Sequence, residues 1–404
     1  MVSFKFQYVQ GFLRSLDQDV VSVLAVNFLW MIPWGLIQPF LSPYFFKLSN
    51  NDYFLTGLFN GIPFATMIFS VFIFGWIVDL VGSKKTMIVA FILFILCFLS
   101  LMLITDPILF FVDYVISYSL LACFNPAIMK YASLTSKEDI FGSMGAVASL
   151  GYFFGSIVSG TIYDTVGMGF LFLISVGICV IGLISVIISK DLRHSNKELL
   201  NQETSDRNQN RSFSNSSDIL RYSPVIIILF IIAVLQNFMG SFSGQFITIY
   251  FLEELKSPSL LVGVVFGGAT LAGTFASHYT GKIGKTHGFK NILILCYLAY
   301  FVVWVGFFFV TDNYIIPALL YMLPIYVGLF VAGPTIVSER VGESRRGTWM
   351  GYFSACQSFG FATGTILGGY SGGLNSTFRM NFGISAVFTV ILLIIVIFFF
   401  KEEK

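Results

Sequence analysis

Gly75-Trp76-Ile77-Val78-Asp79-Leu80-Val81-Gly82-Ser83-Lys84-Lys85 interrupts a chain that is otherwise almost continuously apolar. The glycines allow the backbone to turn tightly, and the paired lysines mark the point where the chain leaves an apolar medium for water. Only 11% of the 404 residues are charged and 56% are hydrophobic, whereas roughly 25% of a soluble domain is charged. With 47 Phe residues besides, a water-soluble fold is excluded, because too few polar side chains remain to cover its surface. The solvent of this chain is lipid, and the few charges become the informative residues.

A segment of roughly 20 apolar residues crosses the hydrocarbon core of a bilayer as a helix. Twelve such segments run over 20–46, 53–78, 86–104, 107–129, 141–163, 168–189, 224–251, 259–281, 291–311, 314–338, 348–371 and 379–400. They are too long for barrel strands of about 10 residues, and backbone groups in lipid must be satisfied within the segment, so helices are predicted. With both termini in the cytoplasm, 20 of the 23 Lys and Arg residues fall on the cytoplasmic side, leaving Lys47, Lys256 and Arg379 outside. That bias follows the positive-inside rule and predicts a multi-pass protein of the cell membrane. Residues 190–223 hold 11 of the 44 charged residues together with runs of Ser, Asn and Gln, the composition of a flexible linker. The predicted fold is an all-α membrane protein with twelve transmembrane helices in two six-helix bundles related by a pseudo-two-fold axis. Residues 1–189 form the first bundle, 190–223 the cytoplasmic linker and 224–404 the second bundle.

An internal repeat supports that division. Gly75 and Gly82 return as Gly281 and Gly288 at an offset of 206, and Gln38 returns as Gln245 at 207. Gly142, Gly151, Gly155 and Gly160 return as Gly351, Gly360, Gly364 and Gly369 at 209. Parallel repeats of this kind place a site at the midplane between the halves and permit rocking about it. The small-residue stripes of spans 5 and 11 are expected to let helices of opposite halves slide past one another.

The opening stretch, with its Gly, an Asp four residues on and a further Gly three after that, resembles the signature loop of the major facilitator superfamily. Leu80 and Ser83 depart from it, standing where that family usually has basic residues. The resemblance implies a secondary transporter that works by alternating access. It further implies a conformational latch at the loop formed by Gly75, Asp79, Gly82, Lys84 and Lys85, with Asp79 meeting the start of span 11 at Arg345 and Arg346. In the second half Lys285 takes the place of Asp79, and the matching partner is Glu138 or Asp139, so the two latches would have opposite polarity. Solvated loop charges with near-zero coupling are the plain alternative.

The resemblance also implies that spans 1, 4, 7 and 10 line the cavity. Asn27, Trp30, Trp34 and Gln38 share one helical face of span 1, and Asn237, Ser241 and Gln245 share one face of span 7. With Tyr118 and Tyr321 they are the candidate substrate residues: amides beside flat rings suit an uncharged or amphipathic solute. Packing between helices is the alternative role. Asp113 lies about 9 Å inside span 4, near the position where many members of that family keep an arginine. As an intramembrane acid it is the candidate for proton coupling. Residue 156, after Gly155, is Ser rather than the Pro that drug exporters of the family show.

The Gly-x-x-x-x-Gly-Lys-Ser/Thr spacing of a phosphate-binding loop is absent, as is a His-Glu-x-x-His metalloprotease motif, so a non-enzymatic protein without ATP or other cofactor is expected. Five cysteines sit in apolar runs with no metal-ligand spacing. The expected energy source is a proton gradient. The expected partners are a small-molecule solute and membrane lipid, not nucleic acid, and the chain is expected to act as a monomer. Proton-coupled export of an amphipathic compound is the leading expectation. Proton-coupled uptake of a neutral solute such as a sugar is the alternative, and a non-transporting receptor or scaffold is the alternative of another class.

Overall fold

The computed structural model describes residues 18–134, 140–189, 224–340 and 346–400; the linker expected at 190–223 lies outside them. The first half contains α1 (Gln18–Leu48), α2 (Tyr53–Val81), α3 (Ser83–Leu103), α4 (Pro107–Leu121), α5 (Phe124–Ser133), α6 (Ile140–Thr165) and α7 (Met168–Ile188). The second contains α8 (Pro224–Gly244), α9 (Ile247–Ile249) running into a π-helical turn at Tyr250–Glu254, α10 (Ser259–His287), α11 (Phe289–Phe309), α12 (Ile315–Tyr321), α13 (Ile325–Arg340), α14 (Arg346–Asn375) and α15 (Arg379–Phe398). Taken with α4–α5, α8–α9 and α12–α13 as single broken spans, these are the twelve transmembrane helices of a two-bundle membrane protein. Eleven of the described spans are long and apolar enough to cross a bilayer by composition alone. The twelfth, α14, carries eight glycines in its 30 residues, which lower its hydropathy and fit it for close packing.

Helix ends are set by local chemistry. Asp52 caps α2 by accepting from the Leu55 amide, and Asp106 caps α4 by accepting from the amides of Ile108 and Leu109, satisfying donors that a helix start leaves free. The repeated glycines of the opening stretch have a conformational reason: Gly82 between α2 and α3 has φ 99°, and Gly288 between α10 and α11 has φ 87°. Both lie in a region that disfavours side chains, so one turn is built twice. The same repeat holds a basic residue at each turn. Lys84 donates to the carbonyls of Ile187 and Ser189 at the end of α7, and Lys290 donates to Ile397 O at 2.9 Å near the end of α15. Each lysine neutralises carbonyls at a helix C-terminus. We call the end of the molecule bearing these lysines the basic end and the opposite one the far end.

The halves meet through α2 against α14 and α6 against α10. Near the far end the approach is very close: a Cβ on Gly57 would stand 2.8 Å from the Cα of Gly369, and one on Gly160 would stand 2.7 Å from the Cα of Leu260. Toward the basic end the same four helices carry Gly75, Gly142, Gly281 and Gly351, and a Cβ added at any of these would meet no described atom within 4 Å. Among the described residues the halves are therefore closed at the far end and stand apart at these four positions of the basic end. Phe46 and Tyr53 of the first half pack on Phe246, Ile249 and Phe378 of the second as a separate aromatic cluster that seals the far end. Lys47 bridges Glu253 at 2.9 Å beside it, and Tyr53 donates to Ser376 O at 2.9 Å. A half-exposed ion pair contributes roughly 0–1 kcal/mol, so ring packing carries most of this seal.

The small-residue stripes differ from the sequence expectation. Gly151 and Gly155 pack on α1 at the carbonyls of Phe28 and Ile32, and Gly360, Gly364 and Gly368 pack on α8, all within one half. Of these two stripes, Gly160 and Gly369 are the members that reach across. Successive steps of four residues drift by about 40° and keep one face, whereas one further residue turns by about 100°, so Gly369 points away from the face of Gly368. We predict that Gly360→Ala, which drives a Cβ onto the backbone of Val234, costs about 1–3 kcal/mol by overpacking. Gly75→Ala, in open space, leaves thermal unfolding of the detergent-solubilised protein unchanged or slightly raised.

Candidate functional site

Between the halves lies a cavity of two lobes, about 500 Å³ and about 490 Å³. They share a waist formed by Met31, Gln38 and Tyr152 of the first half and Gly244, Gln245, Phe266 and Tyr321 of the second. Breaks in the spans put irregular backbone there. Ala122 follows the end of α4 and lines the first lobe, Gln245 occupies the turn between α8 and α9, and Leu323 lies between α12 and α13 and lines the second lobe. Non-helical backbone at this depth is tolerated where it borders a cavity.

Aromatic rings dominate the first lobe. Trp34 lies edge-on to Tyr118 at 5.8 Å, while Trp30 stacks on Phe124 at 3.7 Å and is largely buried, so it offers the lobe an edge. Phe64 lines this lobe and packs at 3.9 Å on Phe361 of the other half, which lines the second. Asn60 donates its amide N–H groups to Ser42 Oγ at 2.8 Å and Thr56 O at 3.1 Å, leaving its carbonyl oxygen. In the second lobe Asn237 donates to Ala233 O at 2.9 Å and Ser241 to Phe361 O at 2.8 Å. Gln38 is exposed although its neighbours Ile37 and Phe40 are buried, which is the signature of a side chain standing in the cavity. Tyr152 donates its hydroxyl proton to Gln38 Oε1. The Gln245 side chain has no hydrogen bond to any described residue. Among the described residues, neither lobe is lined by Asp, Glu, Lys, Arg or His.

Trp30, Trp34, Gln38, Tyr118, Asn237, Ser241, Gln245 and Tyr321 all border this cavity. Asn27 stands outside it, buried, with its amide donating to Met144 O at 2.9 Å between α1 and α6. Asp113 also stands away from it: its Oδ2 accepts from Ser100 Oγ of α3 at 2.8 Å. Asp79 pairs with Lys130 of α5 at 2.7 Å, inside its own half. Among the other residues expected in the latches, Arg345, Glu138 and Asp139 fall outside the described residues, as do the side chains of Lys285 and Arg346. Tyr152, Asn60 and Phe64 were missed by sequence reasoning because they lie on spans 2 and 5. A polar residue one turn from a glycine, as Asn60 is from Gly57, was the available signal.

This is the architecture of a solute carrier with a central site and one open end. Residues 23–331 and 326–404 match the Major Facilitator Superfamily, and the chain belongs to that family. A search of curated proteins finds no sequence match. Solved structures are similar in fold. A mutant form of the nucleoside transporter NupG aligns with TM-score 0.81 and 13% identity over 95% of this chain and all 100% of its own. The inward-open xylose transporter XylE from E. coli aligns with TM-score 0.72 and 12% identity over 95% and 96%. A peptide transporter, POT, in complex with alafosfalin gives TM-score 0.70 and 14% identity over 93% of each chain. The protein is thus a multi-pass, non-enzymatic secondary transporter of a small-molecule solute.

Gln245→Ala is expected to weaken solute binding at least tenfold with little change in melting temperature. Asn27→Ala should lower the melting temperature, since it removes the buried hydrogen bond from Asn27 to Met144 O between α1 and α6, worth about 0.5–1.5 kcal/mol, and should change solute affinity little. Thermal unfolding with and without solute separates the two roles.

Proposed function

We propose that the protein carries an uncharged organic solute through the two-lobed cavity by alternating access, with its basic end in the cytoplasm of a cell membrane. The observation that carries this reading is the lining of amides, hydroxyls and rings with no ionisable acid or base among the described residues. A charged solute entering such a wall would lose hydration without a counter-charge. The solutes named for two of the similar folds, nucleosides and xylose, are likewise uncharged. On the positive-inside rule the basic end is cytoplasmic, and the present state, parted at that end, is then inward-facing. Export of an amphipathic compound would use the same aromatic walls of Trp34, Phe64 and Tyr118 and is the second reading. Counterflow in liposomes with D-xylose, uridine, glutamate, lysine and tetraphenylphosphonium tests the choice. Movement of the neutral solutes is expected, and transport confined to tetraphenylphosphonium would favour the second reading.

Proton coupling through Asp113 is part of the proposal. This acid sits two turns inside α4 and is bonded to α3, so it would act by changing the packing of α3 on α4 rather than from the cavity wall. Asp113→Asn is expected to abolish uphill uptake driven by a pH gradient while sparing solute exchange. Equal driven uptake in wild type and variant would remove Asp113 from the mechanism.

The latches belong to the opposite state, in which the basic end closes. There Asp79 would meet Arg346, and Lys285 would meet Glu138 or Asp139. A double-mutant cycle with Lys285→Glu and Glu138→Lys tests this through the transport rate. Each change should slow transport and the pair should restore it, whereas simple additivity rejects the latch.

A further inference from the structure

The two halves repeat in register, but the waist of the cavity does not. The offset of 209 that relates Gly151 and Gly155 to Gly360 and Gly364 relates Tyr152 to Phe361. These residues occupy matching places on α6 and α14, and each belongs to the helix whose glycines pack on α1 or α8. They differ by one phenolic oxygen. On the first half that oxygen donates to Gln38 Oε1; on the second, the ring of Phe361 packs on Phe64 at 3.9 Å and offers the matching Gln245 nothing. The Gln245 side chain accordingly has no hydrogen bond to a described residue, although it borders both lobes.

A glutamine amide presents one carbonyl acceptor and two N–H donors. With Tyr152 donating to its carbonyl oxygen, Gln38 is held in one orientation and keeps two N–H donors and a single remaining lone pair. Gln245 keeps both kinds of group in one plane. A free carboxamide of this sort pairs bidentately with an edge that carries an acceptor next to a donor, as glutamine does with a base edge. Phe266 and Tyr321, at the same waist and 5.1 Å apart between ring centroids, add a flat apolar wall for a planar ring.

We propose that Tyr152 is the specificity-determining residue of this transporter and that the site selects planar neutral solutes with an amide-like edge, such as lactam heterocycles, over simple polyols. The inference rests on the neutral-solute reading above and narrows it. Tyr152 acts through Gln38: it fixes the orientation of that amide, whose N–H groups outnumber its one remaining lone pair, and so gives a pseudo-symmetric cavity a single reading direction. The solute places an acceptor against Gln38 and its donor–acceptor edge against Gln245. A polyol, whose hydroxyls donate and accept alike, is indifferent to how Gln38 is held.

Binding of uridine, uracil and D-ribose to the purified full chain, read by thermal shift and by intrinsic tryptophan fluorescence, tests the assignment. Uridine and uracil should bind at least tenfold more tightly than D-ribose. Tyr152→Phe should reduce that preference at least tenfold, chiefly by weakening uridine, with the Kd for D-ribose changed less than twofold. Phe361→Tyr, which supplies Gln245 with a hydroxyl partner, should weaken uracil and uridine in the same way and provides the measurement should Tyr152→Phe fail to fold. Preference for D-ribose, or an equal loss of all three ligands in either folded variant, overturns the proposal. If no neutral solute moves in counterflow, the broader reading fails; if neutral solutes move but the preference is unaltered by either substitution, this inference alone fails.

Discussion

Between helices surrounded by hydrocarbon, burying apolar surface yields no hydrophobic gain, because lipid tails are as apolar as leucine. Association then depends on how near two backbones can come, and in this transporter glycine sets that distance. Gly151 and Gly155 bring α6 onto α1, and Gly360, Gly364 and Gly368 bring α14 onto α8. Those contacts make each half a firm body. Among the described residues the contacts between halves are of the same kind and run inward from the far end, from Gly57 with Gly369 and Gly160 with Leu260 to Gly61 with Ala362 and Gly263 with Ser156. Firm halves joined at one end necessarily enclose a space that opens at the other.

The space inherits its character from the same constraint. A helix that must pack through glycine on one face has few positions left for polar groups; Gln245 takes one where a span breaks, while Gln38, Asn60, Asn237 and Ser241 stand on helices bordering the cavity. The breaks keep local backbone pairs, Cys123 N with Leu120 O, Phe246 N with Ser243 O and Leu323 N with Leu320 O, and so border the cavity with those donors satisfied. Charge is excluded from the described lining and kept for the ends, where Lys84 and Lys290 meet helix carbonyls and Lys47 meets Glu253.

Much of this was legible in the sequence. Apolar run length defined the spans, and the recurrence of Gly82 at Gly288 corresponded to a backbone turn that only glycine adopts comfortably. Gln38 and Gln245 were found because their repeat was visible and their faces could be counted. What stayed hidden depended on which neighbour a face meets. Periodicity places Gly151, Gly155 and Tyr152 on span 5 but cannot tell that the glycines look inward to α1 while the tyrosine reaches Gln38. Asp113 was recognisable as an intramembrane acid; its turn towards Ser100 of α3 depends on the rotation of α4, which tertiary packing alone decides. Lys84 was read as part of a loop latch, and its engagement with α7 required knowing that the end of α7 lies beside that turn.

The lysine clasps have a consequence for how the molecule is made. Lys84 ties the turn between the second and third spans to the end of the sixth, and Lys290 ties the corresponding turn to the end of the twelfth. Both partners of the first clasp are synthesised before any residue of the second half exists. The first bundle can therefore shut on itself during synthesis, as domains that emerge first commonly do. It would then serve as a finished template against which the second bundle is laid.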